Sequence, residues 1–387
     1  MENLDVWGIC LTFAAEKYTQ TMNNEETNKP QSQPEMVLEE GFEQPLNIGM
    51  VSNYNDSEET RILLTPEACG ILVSAGNIVT VEAGVGIDVD FSDEDYARYG
   101  VRIAPREQVL ALPVVLSYRP LQVADIRRMQ PGGTNLCMLD NTLFDRKVVD
   151  EYLSRNITLG CLNNMLSHNG EPIFANVLDE IDGRVAIMYA QENLSFLGGG
   201  KGVLLAGVAG INPCEVLIIG TGTKVMFAAM AAIAAGASVT VMDNDISSLQ
   251  EMRDFCGDRL TTCAVHPRVL LNRVKTADVI LLDHCTRDFE MPRTLDSVMK
   301  DNVYLLDLAD TDPSQSVPRT VAMAMSNILV NFFEEMALKN GVDGMIVTTP
   351  GMQEGIVTYR GKLVDKLIAS YLGTHGMDLG LLLAGGN

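Results

Sequence analysis

The stretch from Gly198 to Asp243 constrains the fold more than any other part of this chain. Glu215 to Ile219 (EVLII) is a short β-branched and apolar run, as a strand buried in a parallel sheet requires. It ends in Gly220-Thr221-Gly222-Thr223-Lys224-Val225, and a small-residue helical run follows from Met226 to Ala235. Gly236 stops that helix, and Ser238 to Met242 predicts a second strand that delivers Asp243. Strand, glycine turn, helix, strand, acid is the order of a dinucleotide-binding unit. Gly220 and Gly222 let the backbone bend tightly and approach a pyrophosphate, whose charge the helix N-terminus favours. Asp243 lies 21 residues beyond Gly222, near the spacing at which a carboxylate accepts from the ribose hydroxyls. That carboxylate repels a 2′-phosphate, so the expected cofactor is NAD and not NADP. Val225 occupies the third glycine position of the G-x-G-x-x-G pattern, where it is expected to hold the helix off the strand and weaken binding. The alternative is a Rossmann unit that keeps its fold and binds nothing.

The rest of the chain alternates in the same way. Leu46 to Ser52 reads as a strand, Thr65-Pro66 caps and opens a helix ending near Gly76, and Asn77 to Glu82 is a second strand. Ser92 caps a helix running to Gly100, and further apolar strands are Pro113 to Ser117, Asn135 to Leu139 and Ile157 to Cys161. Asp182 to Leu197 predicts a long connecting helix. Beyond Asp243 come helices at Ser247 to Phe255 and Pro267 to Thr276. Strands follow at Leu260 to Val265, Val279 to Asp283 and Val303 to Leu308, before a second long helix from Arg319 to Leu338. The fold class expected is α/β, with two doubly wound parallel-sheet domains. A Rossmann domain over 182–318 is inserted into a split substrate domain over 46–181 and 319–387. Residues 1–45 are expected to be an acidic, partly disordered extension; nine acids stand against two lysines in residues 1–46, and Asp5 to Thr19 has helical character.

Composition excludes several classes. The chain has 387 residues, 47% of them apolar, enough to bury two cores. With 28 basic against 51 acidic residues, the net charge of −23 disfavours nucleic acid and anionic membranes as partners. The 8 cysteines show no C-x-x-C spacing and mostly sit in apolar runs. They read as reduced core residues of a cytoplasmic protein, with no metal site. No apolar run approaches the ~20 residues of a membrane span.

Three further stretches carry a resemblance. Gly199-Gly200-Lys201-Gly202-Val203-Leu204-Leu205-Ala206-Gly207-Val208 resembles the G-G-[RK]-G-V-L-L-G-G-V run of alanine dehydrogenases. Arg61 to Pro66 (RILLTP) is similar to their R-V-A-L-T-P. Val317-Pro318-Arg319-Thr320, with Ser326-Asn327, is similar to V-P-[RK]-T…[ST]-N. From about residue 46 onward the chain thus resembles the alanine dehydrogenase and proton-translocating transhydrogenase alpha-subunit family. That resemblance implies a split substrate domain flanking an NAD domain, assembly into a homo-oligomer through the nucleotide domains, and hydride transfer between NAD and a small 2-amino acid.

Such chemistry needs an arginine on the substrate carboxylate, a lysine on the carbonyl or imine, and a histidine and an aspartate for proton transfer. By resemblance Arg61 matches the arginine. The other positions depart: Tyr118 stands in the lysine's place and Asp140 at or beside the histidine's. Leu306 to Pro313 runs almost directly into Val317-Pro318, so a segment of the family pattern is missing and Thr311 falls where its aspartate would be. Asp310 and Asp312 flank that position and are candidates to replace the acid. His284, after the fourth nucleotide strand, and the loop residue His168 are candidate proton-transfer groups. Two readings stay open: an NAD-dependent amino-acid dehydrogenase with an altered or weakened site, and a non-catalytic NAD-binding relative with a sensing or structural role.

Overall fold

The computed structural model describes residues 45–53, 59–138, 145–283, 297–308 and 311–384. The candidates Asp140, His284 and Asp310, and the acidic extension with its expected helix, lie outside the described residues.

Six strands open the first sheet: β1 Asn47–Met50, β2 Ile78–Glu82, β3 Arg102–Ala104, β4 Val114–Ser117, β5 Thr134–Cys137 and β6 Thr158–Cys161. They pair in parallel, and β4, β5 and β6 are buried along their whole length, which explains why they read as continuous apolar or small-residue runs. β1 pairs with both β2 and β4, so the winding reverses there and opens a crevice at the strand ends. Local signals set the helices between them. Thr65 accepts from the Ala68 N–H at the start of the Pro66–Ser74 helix, and Ser92 and Asp95 form a reciprocal capping box on Asp93–Arg98.

The second sheet holds β7 Glu215–Ile219, β8 Ser238–Asp243, β9 Leu260–Ala264, β10 Val279–Leu282 and β11 Tyr304–Asp307, ordered β11-β10-β7-β8-β9 and parallel throughout. Its reversal point lies between β7 and β10. Two later strands, β12 Ile356–Tyr359 and β13 Lys362–Leu363, join the first sheet beside β6, antiparallel to their neighbours, to give the order β13-β12-β6-β5-β4-β1-β2-β3. The two α/β sheets with their helices are the architecture expected from the alternation.

Two long helices run beside the sheets. Pro318–Leu338 is apolar and long enough, by length and composition, to cross a membrane, contrary to the expectation that no apolar run approaches a membrane span. Here it buries Val321, Met325, Leu329 and Phe333 in the first sheet's core, with Phe332 edge-on to Phe174 at 5.6 Å. Ala175–Leu194 begins seven residues before the expected start at Asp182. It packs on the glycine-turn helix Thr223–Ala234 through Gly183, where a Cβ would overlap the Lys224 carbonyl and come within 2.7 Å of the Ala228 nitrogen. Val225 is fully buried in the core shared by these helices and β7, so Val225→Gly is first of all a cavity-forming change.

Gly183→Ala pits helix propensity, worth about 1 kcal/mol in its favour, against overpacking, which typically costs about 1–3 kcal/mol. The obstacles are backbone atoms that cannot swing aside, so the clash should win and the Tm should fall by several degrees in differential scanning fluorimetry. An unchanged or higher Tm would contradict the close helix contact.

Candidate functional site

The glycine turn leaves β7 at the reversal point of the second sheet, the position at which open α/β sheets bind ligands. Gly220 and Gly222 both take positive φ, +116° and +137°, which a side chain would strain. Gly220 has a further reason to be glycine: a Cβ there would overlap the Asp283 carbonyl oxygen at the end of β10. At Gly222 the nearest atom to an added Cβ is the Asp283 carboxylate oxygen at 3.8 Å, so that side of the turn is open. The N–H groups of the Thr223–Ala234 helix begin there, and Gly222 is its N-cap without a side-chain cap. Asp243 ends β8 as expected, but it is only 1% exposed. Its Oδ2 accepts from the Thr221 hydroxyl at 2.9 Å and its Oδ1 from the Asp245 N–H at 2.8 Å. A carboxylate has about four acceptor positions, so room for ribose hydroxyls remains once the Thr221 side gives way. Turn, helix start and acid together fit a dinucleotide.

Beside the turn, the Lys224 side chain is half-buried. Its Nζ pairs with the Asp182 carboxylate at 3.0 Å and donates to the Leu308 carbonyl, just past β11, at 3.2 Å. Burial opposes its charge, but Asp182, Asp179 and Asp283 outweigh that and hold its pKa above the ordinary value. Asp182 also accepts the Ser314 N–H at 2.8 Å on its other oxygen.

Ser314 belongs to a second cluster, built around Arg61. The Arg61 guanidinium is 3% exposed, and each of its five N–H groups has a partner. Nε donates to Glu59 Oε1 at 2.7 Å and Nη2 to Glu59 Oε2 at 2.6 Å. Nη1 donates to Asp312 Oδ1 at 2.7 Å and to Ser314 Oγ at 2.8 Å, and Nη2 also pairs with Asp312 Oδ2. The ring of Tyr118, just past β4, lies under the guanidinium, its centroid 4.4 Å from Cζ. Arg119 adds a bond to Glu59 Oε2 at 3.1 Å. Burial works against the Arg61 charge, yet the bonds to Glu59 and Asp312 raise its pKa above the ordinary value. Burial would raise the Asp312 pKa too, but Arg61 and Ser314 bring it below the usual carboxylate range. Tyr118 goes the other way: burial pushes its phenol far up despite Arg61, so it stays neutral at any physiological pH.

Among the sequence candidates, the structure thus brings together Arg61, Tyr118 and Asp312, and separately Gly220, Gly222, Val225 and Asp243. His168 is exposed in a turn. Glu59, Asp182, Lys224 and Ser314 escaped the sequence reading. Only Glu59, an acid two residues before a candidate arginine, left a local trace. Asp312 is 251 residues from Arg61, and no spacing rule connects them.

Two family models match this chain: one described as Alanine dehydrogenase/PNT, N-terminal domain, over residues 51–174, and one as Alanine dehydrogenase/PNT, C-terminal domain, over residues 186–282. The chain is 26% identical to an alanine dehydrogenase of Mycobacterium tuberculosis over 375 residues, covering 88% of this chain and 100% of that protein. It is 24% identical to an alanine dehydrogenase of Geobacillus stearothermophilus over 375 residues, with coverage of 88% and 100%. Among solved structures, an L-alanine dehydrogenase superposes with a TM-score of 0.76 at 20% identity, covering 85% of this chain and 99% of that one. A transhydrogenase from Sinorhizobium meliloti superposes with a TM-score of 0.69 at 15% identity, with coverage of 82% and 100%.

The acids around Lys224 make a pH prediction. Burial, with Asp182 and Asp283 nearby, raises the Asp179 pKa to about 6 against the opposing pull of Lys224. A carboxylate raised in the folded state contributes stability below its unfolded value, ~3.9, and loses it as pH rises through about 6. Asp179→Asn should therefore be more stable than the native chain at pH 8, by on the order of 1 kcal/mol after screening. That advantage should shrink as pH falls below 6. Thermal melts across pH 4–8 check this, and a pH-independent difference would contradict it.

Proposed function

The chain belongs to the alanine dehydrogenase/PNT family, and on that footing we propose that it is an NAD(H)-binding protein with weak dehydrogenase activity on small 2-amino and 2-oxo acids. The observation that carries this reading is the contrast between its two sites. The coenzyme side keeps an open glycine turn at Gly222, a helix N-terminus and an acid at 243. The arginine side is saturated by the chain's own carboxylates.

NAD, when bound, supplies the hydride acceptor. The chain's residues then have a limited repertoire. The first N–H groups of the Thr223–Ala234 helix favour a pyrophosphate, and Asp243 takes ribose hydroxyls once Thr221 releases one of its oxygens. Lys224 is committed to Asp182 and Leu308, so it steadies the turn without meeting a phosphate directly. A substrate carboxylate reaches Arg61 only by displacing Asp312. Tyr118 is neutral and cannot place a cation on a carbonyl, although it can orient Arg61. The saturated Arg61 also favours a second reading, a non-catalytic NAD-binding relative. The exposed apolar residues Phe196, Leu197, Leu204, Val208 and Ile211 around the glycine-rich run favour a homo-oligomer, with a second copy of this chain covering them. The six described cysteines form no disulfide, which supports a cytoplasmic location.

Fluorescence titration should give NADH a dissociation constant at least about tenfold below that of NADPH, the order expected from one charge repulsion of ~1.4 kcal/mol. Equal affinities would remove Asp243 from its role. L-Alanine turnover should lie about 10²–10⁴-fold below the ~10 s⁻¹ of a median enzyme, as loss of a positioned proton-transfer group entails. Tyr118→Lys with Asp140→His should not restore it, because a lysine at 118 faces the Arg61 cation. Turnover at the median rate by the native chain would refute the weak-site reading, while NADH binding with no turnover would leave the second.

A further inference from the structure

We propose that Asp179, on the Ala175–Leu194 helix, makes coenzyme binding proton-linked, so that NAD(H) enters the glycine turn with uptake of a proton by this side chain. The inference rests on the NAD(H)-binding reading above and adds a regulator to that site.

Asp179 and Asp182 lie three residues apart on one helix and so share a face. That face meets the first turn of Thr223–Ala234, where Lys224 Nζ pairs with Asp182 at 3.0 Å. Asp283 joins them from the end of β10, and its Oδ2 borders the open side of the turn, 3.8 Å from a Cβ added at Gly222. Three carboxylates thus stand against the Lys224 ammonium, behind the helix N–H groups that favour a pyrophosphate. Asp182 is tied by both oxygens, to Lys224 and to the Ser314 N–H. Asp179 is half-buried and makes no hydrogen bond or ion pair with the other described residues. Despite burial, Lys224 is held charged by Asp182, Asp179 and Asp283, which leaves Asp179 as the member free to take a proton.

Burial raises the Asp179 pKa, Lys224 lowers it, and Asp182 and Asp283 raise it again, to about 6. Other charged groups near this helix are matched elsewhere. Glu180 pairs with Arg184 on the same helix at 2.7 Å, and Asp312 pairs with Arg61. Arg319, on Pro318–Leu338, donates to the Val89 and Asp90 carbonyls. Tyr118 is a neutral phenol, and Tyr304 of β11 lies toward the far end of the helix, beside Tyr189 and Glu192. A pyrophosphate brings two further negative charges, which oppose the ionised Asp179 and favour its protonated form. Affinity is therefore highest below about pH 6, where Asp179 already carries its proton. It falls as pH rises through that value, and levels off once the bound form has also lost the proton. The bound phosphates should raise the proton affinity of Asp179 about tenfold, so the NADH dissociation constant should rise about tenfold across this window.

The test is fluorescence titration of the full chain with NADH from pH 5.5 to 8.5 at fixed ionic strength. Calorimetry at pH 6.5, in two buffers of different ionisation enthalpy, counts the protons taken up. The native chain should bind about tenfold more tightly at pH 5.5 than at pH 8.5 and take up part of a proton at pH 6.5. Asp179→Asn should bind at pH 8.5 about as tightly as the native chain does at pH 5.5, with a flat profile and no proton uptake. Asp179→Glu should keep the pH dependence. Asp258→Asn removes the same charge from an exposed position and should change neither readout. If Asp179→Asn does not fold, Asp179→Ser serves in its place. NADH binding with a flat native profile would overturn the proposal and leave the NAD(H)-binding reading intact, as would a pH dependence that Asp179→Asn leaves unchanged. No NADH binding at any pH would overturn both.

Discussion

A buried guanidinium with every donor used is the constraint around which this molecule is arranged. A charge in a protein interior is tolerable only when it is paired and its hydrogen bonds are complete. Arg61 meets that condition with groups far apart in the sequence: Glu59 before it, and Asp312 and Ser314 after β11. The pairing fixes where the chain leaving the second sheet must pass. Asp182 extends the network by accepting the Ser314 N–H and pairing with Lys224, which in turn donates to the Leu308 carbonyl. A continuous polar chain thus runs from Arg119 at the end of β4 to the exit of β11 beside the glycine turn.

That arrangement gives familiar residues different duties. Arg61 occupies the position that resemblance assigns to a substrate carboxylate, yet it stabilises an internal cluster. Gly220 is glycine as much for the Asp283 carbonyl as for any ligand. Tyr118, where a lysine is expected by resemblance, puts a neutral ring against the guanidinium that a second cation could not provide. The tyrosine is compatible with the saturated arginine in a way that a lysine is not, since two cations 4–5 Å apart in a poorly solvated site repel strongly.

Much of the architecture was legible in the sequence because local chemistry declares it. EVLII and Val279 to Asp283 are apolar runs bounded by glycine or charge, and each forms a strand within one residue of its expected ends. The Pro267–Thr276 helix begins at its proline and ends where expected. Other features gave no such sign. The Ala175–Leu194 helix has Phe174 as its N-cap, which makes no side-chain cap bond, so its first two turns carried no start signal. β3 is three residues long, and β12 is held by pairing to β6 from nearly 200 residues away, with β13 hung on β12. At the site, the glycine turn and Asp243 were readable because dinucleotide units are local in sequence. The Arg61 cluster was not, because an ion pair between residues 251 apart exists only in the folded chain.

The central claim is that Arg61 is held on both edges in the native state, and its side-chain N–H groups report on this directly. Nitrogen-15 NMR of arginine-labelled protein, with the Arg61 resonance assigned by its loss in Arg61→Lys, measures guanidinium rotation and hydrogen exchange. Pairing to Glu59 on one side and Asp312 on the other predicts a resolved Nε–H signal, separate Nη resonances and exchange slowed well beyond that of exposed arginines. A single averaged Nη signal with fast exchange would show a free guanidinium, and would contradict the account at its root.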